Sequence, residues 1–375
     1  MSTPELVAVK GLFRDGAKEQ FTSPVPNEST KTVVSVLPLR IPWKTDFVNL
    51  LSQELSRQGY IAREFSWRSF ELRRTNFVFL HWPNEFFVYK GKLAIAKLLF
   101  KLATMQIAKR LWGVKFIWVA HNAAPHDAAN SAAFITRWFL RSLDGVIFLS
   151  EYSRGLINKL YPEIGKCNAL VTVHSHYRSA AVTRETPGTT AVGNIKLVHF
   201  GLIRPYKNIE ALVGAASVVS SGIELYVAGM VMDRVVGAAI RDSSQLSPHI
   251  TLDFREVPIP DAELEEIVDS ADAVVLPYKN ILNSGAALFS LSRNRPVLAP
   301  NMGSLPELRD TVGHEWVYLY DGDFDQQVLV DFREWMLSTK RASVAPLEAY
   351  ELSRIGNDLR GFIETMNSQQ RAAAI

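Results

Sequence analysis

The chain has 375 residues, 47% hydrophobic and 21% charged, with a formal net charge of +3. That length suits two domains with sizeable cores, and that charge is too small to point to nucleic acid by itself. A single cysteine, Cys167, excludes an intrachain disulfide or thiolate metal cluster and agrees with a reducing, cytoplasmic setting; neither an export signal nor a membrane-spanning run is expected.

Residues 1–31 are rich in Ser, Thr and Pro without a clear period, and read as a loosely held arm. Thr32–Leu37 is the first good strand, and 46–58 reads as a helix with Phe47, Leu50, Leu51 and Leu55 on its apolar face and Gly59 as its stop. Short apolar strands are expected at 60–65, 77–81, 116–120, 145–149 and 170–174, separated by helical segments. Strands alternating with helices argue for a parallel sheet covered on both faces. The composition then shifts, with Pro187, Gly188 and Gly193, and a second alternating series opens at Ile195. Its strands are expected at 195–200, 224–228, 250–253, 273–276 and 296–299, with helices at 208–220, 261–269 and 284–291. Beyond Asp321 the pattern is helical, at 326–337 and 346–366. The expected division is an arm (1–31), a first α/β domain (32–180), a linker (181–194), a second α/β domain (195–345) and a terminal helical segment (346–375) that could pack back on the first. Ligands of doubly wound sheets sit at the carboxyl ends of the strands, so the loops there are the place to look for chemistry.

In the second domain, VHFGLIRPYKN (198–208) ends a strand at Phe200, permits an unusual turn at Gly201 and brings Arg204 and Lys207 together before a helix. Two such cations suit a diphosphate, whose developing charge needs electrostatic stabilisation; solvated loop charges are the plain alternative. Ser284-Gly285 opens an apolar helix, where backbone N–H groups and the helix dipole also suit an anion, unless Ser284 is simply an N-cap. Asp261 can cap the short acidic helix that follows it, and no catalysis is assigned there.

In the first domain, HWPNE (81–85) and HNAAPHD (121–127) each end a strand with His, Asn and carboxylate side chains. Opening on one cleft, they suit acid–base work on a hydroxyl, with Asp127 ranked first as base, His126 second and Glu85 as a further candidate. His121 is read as a substrate contact or a core histidine, with His81 and Asn122 beside it, and the histidine spacing is not that of a metal site. Residues 86–126 hold seven Lys or Arg and no acid. Over 90–110, Ile95, Leu98, Leu99, Leu102 and Met105 project on one stripe with Lys90, Lys97 and Lys101 opposite. Such a helix either covers a sheet with a solvated lysine face or lies on an anionic membrane surface.

The order of these motifs, FG-x-x-R-x-x-KN, SADAVVLPY, a Gly-containing helix start and RPVLAP-x-x-G, resembles the nucleotide-sugar half of GT-B glycosyltransferases, nearest to the GT4-like bacterial exopolysaccharide enzymes. HWPNE, WVAHNAAPHD and VIFLSEYSR resemble their acceptor-side half more thinly. The resemblance implies an α/β GT-B fold: two tandem Rossmann-like, doubly wound domains with an inter-domain cleft. It implies a hexosyltransferase without metal or other cofactor, its donor a GDP- or UDP-sugar with GDP-mannose favoured. The acceptor would be a glycan or polyprenyl-linked saccharide, in cell-surface or exopolysaccharide synthesis. The enzyme would be cytoplasmic, with peripheral membrane contact through Lys90–Arg110. Residue by residue, the resemblance places Gly201, Arg204, Lys207, Asn283, Ser284 and Gly285 at the donor diphosphate, and Arg255, Glu256 and Val257 at the base. It makes the reacting hydroxyl that of a sugar, puts His81, His121 and Asn122 at the sugar or acceptor, and places Ser153 on a turn lining the cleft, with Arg154 beside it. The paired glutamates of retaining relatives are missing, because Ile281 and Phe289 occupy their positions; Glu307 is the nearest downstream acid for the ribose. An epimerase of the same fold and a catalytically silent binding protein stay open as alternatives.

Overall fold

Short apolar strands separated by helices with one apolar face are most economically buried as parallel sheets, and the chain forms two. In this computed structural model, residues 32–37, 39, 46–67, 69–123, 133–178, 194–219, 221–244 and 247–373 are described. The expected arm, His126, Asp127 and all of the expected linker except Asn194 lie outside the described residues.

The first half comprises β1 (Val33–Leu37), α1 (Asp46–Arg57), β2 (Ile61–Glu64), α2 (Ser69–Leu72), β3 (Phe77–His81), α3 (Lys92–Trp112), β4 (Lys115–Ala120), α4 (Ala133–Ser142), β5 (Gly145–Phe148), α5 (Glu151–Leu160) and β6 (Asn168–Val171). The second comprises β7 (Ile195–Phe200), α6 (Ile209–Val218), β8 (Ile223–Met230), α7 (Arg234–Ser244), β9 (Ile250–Arg255), α8 (Asp261–Asp269), β10 (Ala273–Val275), α9 (Gly285–Ser292), β11 (Val297–Pro300), α10 (Leu305–Val312), β12 (Val317–Tyr320), α11 (Gln326–Ser338) and α12 (Leu352–Ala373). The sheets have six strands each, in the orders β2-β1-β3-β4-β5-β6 and β12-β11-β10-β7-β8-β9. Their pairings are parallel, as in His81 opposite Val119 and Val274 opposite Val198. Both are doubly wound orders, and each reverses direction once, between β1 and β3 and between β7 and β10. Loops leaving the carboxyl ends at those reversals diverge to opposite faces and leave a crevice.

Each sheet is buried on both faces. One face of the first packs Val78, Leu80, Phe116 and Trp118 against Leu98, Leu102 and Met105 of α3 and Phe139 of α4. The other packs Val34, Val36, Phe77 and Phe79 against Leu51 and Leu55 of α1. Ile355, Leu359, Phe362 and Ile363 of α12 complete that second core, so the end of the chain returns to the first half. Gly145 permits this close packing, because a Cβ there would lie 2.8 Å from Phe362 Cζ.

Several elements differ from the sequence expectation. Expected as 170–174, the sixth strand is Asn168–Val171, and His174 falls in the irregular segment after it. The helix α7 and the strand β12 were not anticipated, since Val317–Tyr320 is too short to show a period. Asp261 is the first residue of α8 rather than its cap, which is Pro260 with no side-chain bond. On α3 the inward stripe is as expected, but the outward face is not mainly lysine. Leu93, Phe100, Ile107 and Leu111 are 71%, 70%, 49% and 69% exposed on it. Lys101 is turned against the fold, paired with Glu85 and lying 5.3 Å over the Trp67 ring.

Candidate active site

At the reversal of the second sheet, β7 and β10 lie side by side, and the loops that follow them meet. Gly201 leaves β7 with φ +114, a conformation in which a side chain is strained. A 3-10 turn, Pro205–Lys207, then presents Lys207, and Asn208 enters α6 in the left-handed region. From the neighbouring strand comes Tyr278, 2% exposed. Lys207 Nζ donates to the Tyr278 hydroxyl at 2.8 Å and sits 4.1 Å over its ring. Burial pushes the Tyr278 pKa up, and the nearby Ser284 side chain opposes that shift. Ser284 caps α9, its hydroxyl oxygen accepting from Ala287 N–H at 3.1 Å. The cap reading therefore holds for the Ser284 side chain, and Tyr278 is the residue that stands near both the basic turn and the α9 start. Burial pushes the Lys207 pKa down, with Tyr206 opposing and Arg204 reinforcing that shift.

Arg255 lies elsewhere in the network, gripped by Asp253 and Glu263. Glu256 and Val257, the next residues of the loop after β9, are exposed.

In the first half, His81 ends β3 and is fully buried, and its Nδ1 lies 2.7 Å from His121 Nε2. Burial, then the neighbouring His174, pushes the His81 pKa down to about 3. His174 itself is pushed down to about 4 by burial, with its ring stacked 4.1 Å from Phe47. Trp82 follows His81 at φ +47, an uncommon conformation for a bulky residue, and stacks on His121 at 4.3 Å. Glu85 stands in the 3-10 turn Asn84–Phe86, where its carboxylate is held by Lys101. His126 and Asp127 lie outside the described residues. Among the described residues, no three His, Cys, Asp or Glu side chains group as metal ligands.

The two halves touch through residues that the sequence assigned to separate tasks. Asn283 accepts from the Ser150 hydroxyl at 3.0 Å and donates to His121 O at 3.2 Å. Glu307 is bound at the start of α5, accepting from Glu151 N–H at 3.0 Å and Tyr152 N–H at 2.6 Å. Its carboxylate thus meets the positive end of a helix dipole in the opposite half. Ser153 is fully buried and forms a reciprocal capping box with Ser150, while Arg154 pairs with Glu151 on the surface. Gly285 faces the connection between the halves: a Cβ there would lie 3.2 Å from the Tyr177 hydroxyl and 3.6 Å from His174 Nε2. A cavity of about 40 Å³ is lined by Ser150, His174, Asn283, Ser284, Glu307 and Tyr350 among others.

The structure therefore brings together Lys207 with Tyr278, and His81 with His121 and Asn283, and holds Arg255 and Glu85 in ion pairs of their own. Tyr278, Trp82, Ser150, His174 and Tyr177 were not singled out by the sequence. For Tyr278, Trp82 and Ser150 the signal was position just after a strand, as in LPY, HWP and IFLS; His174 closed the expected strand, and Tyr177 carried no signal.

No protein-family model matches the chain. Two curated relatives from Xanthomonas campestris pv. campestris, each described as GDP-mannose:glycolipid 4-beta-D-mannosyltransferase, are 31% identical over 317 residues, covering 83% of this chain and 86% of theirs. Among solved structures, Anabaena HepE in complex with UDP is similar with a TM-score of 0.56 at 12% identity, covering 92% of this chain and 99% of that one. The catalytic domain of starch synthase IV from Arabidopsis thaliana, bound to ADP and acarbose, is similar with a TM-score of 0.58 at 9% identity, covering 90% and 99%. At those identities the structural likeness speaks for the fold, which is GT-B.

Proposed function

The chain belongs to the family of GDP-mannose:glycolipid 4-beta-D-mannosyltransferases and is a glycosyltransferase, and we propose that it transfers mannose from GDP-mannose to a lipid-linked saccharide. The observation that carries the donor site is the convergence of Lys207, Tyr278 and the Ser284-capped start of α9 at the reversal of the second sheet. A diphosphate laid there meets a lysine ammonium and a helix N-terminus, which stabilise the charge that builds up as GDP leaves. Arg204 and Gly201 share the same turn, and the exposed Glu256 and Val257 are the loop residues we assign to the guanine.

Making a β-mannoside from the α-configured donor inverts the anomeric carbon, which calls for one base to take the proton of the acceptor hydroxyl. That chemistry has no use for the paired glutamates, whose positions hold Ile281 and Phe289. We assign the base to Asp127, six residues after His121 in the sequence, with His126 as the second candidate. Glu85 ranks below them because Lys101 holds it. His121, backed by His81 and Trp82, is assigned to the sugar.

The outward face of α3 supports an acceptor presented at a membrane. Leu93, Phe100, Ile107 and Leu111 fall within a narrow arc of one helix face, and Phe134 of α4 is 60% exposed as well. Lys90, Lys92, Lys97 and Arg110 flank them, exposed, and no acid lies between Phe86 and His126. An apolar stripe edged with cations fits an anionic bilayer surface. No helix among the described residues is long and apolar enough to cross the membrane.

The test is release of GDP from GDP-mannose, measured with and without a polyprenyl-linked oligosaccharide and compared with UDP-glucose. Acceptor-dependent GDP release is expected. Mannose epimerised without acceptor, or no turnover alongside tight GDP binding, would replace the proposal with an epimerase or a binding protein.

A further inference from the structure

Lys207 and Tyr278 come from loops on adjacent parallel strands, and the contact between them is unusually complete. The ammonium donates to the Tyr278 hydroxyl at 2.8 Å while standing 4.1 Å over the ring of the same residue. The Tyr206 ring lies 5.7 Å away on another side. The backbone is tied as well, with Lys279 N–H donating to Tyr206 O at 2.9 Å. Beneath, His199 is fully buried on β7, its Nδ1–H donating to Val275 O at 2.8 Å. Its Nε2 is buried without a hydrogen-bond partner. Burial and then the Lys207 charge keep this imidazole neutral, with a pKa near 3.

Resting on the donor-site reading above, we infer that Tyr278 is a positioning residue: its hydroxyl and ring hold the Lys207 ammonium against the start of α9, making one cradle for the donor diphosphate. A lysine on a four-carbon stem reaches many positions, and as a point charge it has no geometry of its own. Tyr278 supplies that geometry through the accepted hydrogen bond, with the edge of its ring beside the same ammonium. The same hydroxyl lies near Ser284, the cap of the helix whose N–H groups would meet the anion. Little of the lysine's mobility is then left to lose when the diphosphate arrives.

The experiment is a double-mutant cycle on GDP affinity by calorimetry, with steady-state kinetics and thermal unfolding alongside. Tyr278→Phe removes one oxygen and keeps the ring, so unfolding should shift little. Binding of GDP should weaken about tenfold, and the KM for GDP-mannose should rise while the acceptor KM stays unchanged. Lys207→Met should weaken GDP binding further, and the double variant should bind no worse than Lys207→Met alone, because the hydroxyl acts through the ammonium. Full GDP affinity in Tyr278→Phe beside a weakened Lys207→Met would overturn the role of Tyr278 and leave the donor site standing, as would additive losses. Unchanged GDP affinity in Lys207→Met would overturn the donor site itself.

Discussion

At the scale of single residues, the buried histidines show how burial sets charge. His81, His174 and His199 are held neutral, with pKa values near 3, 4 and 3, whereas an unfolded chain protonates histidine near 6.5. Between those limits the unfolded state binds more protons than the folded state. Stability is therefore fully present above about pH 6.5 and falls as pH drops toward 4. Urea unfolding from pH 7.5 to 4.5 should show that decline, and His174→Phe should flatten it; an unflattened profile would show that His174 is protonated in the fold. Glu307 makes a second residue-scale case. Its carboxylate closes the N-terminus of α5 across the two halves, so Glu307→Ala should cost about 1–2 kcal/mol. The same variant should enlarge the radius of gyration in solution scattering, and unchanged stability and dimensions would show that the contact is incidental. For the base, Asp127→Asn should reduce turnover at least a hundredfold with the donor KM retained, and full activity would reject it.

At the scale of elements, α3 separates what periodicity shows from what it hides. The inward stripe was legible, because Leu98, Leu102 and Met105 recur at helical spacing and are buried. The outward face was legible only in part: Lys90 and Lys97 are exposed as expected, but apolar residues recur on every side of this helix and share that exterior. Only packing against the sheet decides that Phe100 is out and Met105 is in. If the outer stripe docks on lipid, Leu93→Ser with Phe100→Ser should weaken binding to anionic vesicles tenfold or more, as two apolar side chains lose their burial. GDP binding should be unchanged, and undiminished vesicle binding would discard α3 as the docking face. The start of α9 teaches a similar lesson. Ser284 was visible as a cap or an anion contact, and the structure uses its hydroxyl as the cap.

At the scale of the whole molecule, α12 is the element that carries the chain's end back to the first half. Ile355 is fully buried among residues of α1 and the first sheet. Ile355→Ala should destabilise the fold by about 2–5 kcal/mol and leave the donor KM unchanged. A melting point equal to that of the parent chain would contradict the packing. The alternation of short apolar strands and helices determined the fold class, because only parallel sheets covered on both faces bury such a pattern. FG-x-x-R-x-x-KN and the Ser-Gly helix start likewise pointed to the half proposed to hold the donor, since backbone turns and cations leave a local signature. Tertiary structure alone decided the rest: that Lys207 meets Tyr278, that Arg255 and Glu85 are held in ion pairs, and that Glu307 binds α5. The Lys207 and Glu307 contacts join residues 71 and 155 apart and exist because of strand order, while the ion pairs, spanning at most 16 residues, depend on how a loop closes on its helix; no local pattern encodes either.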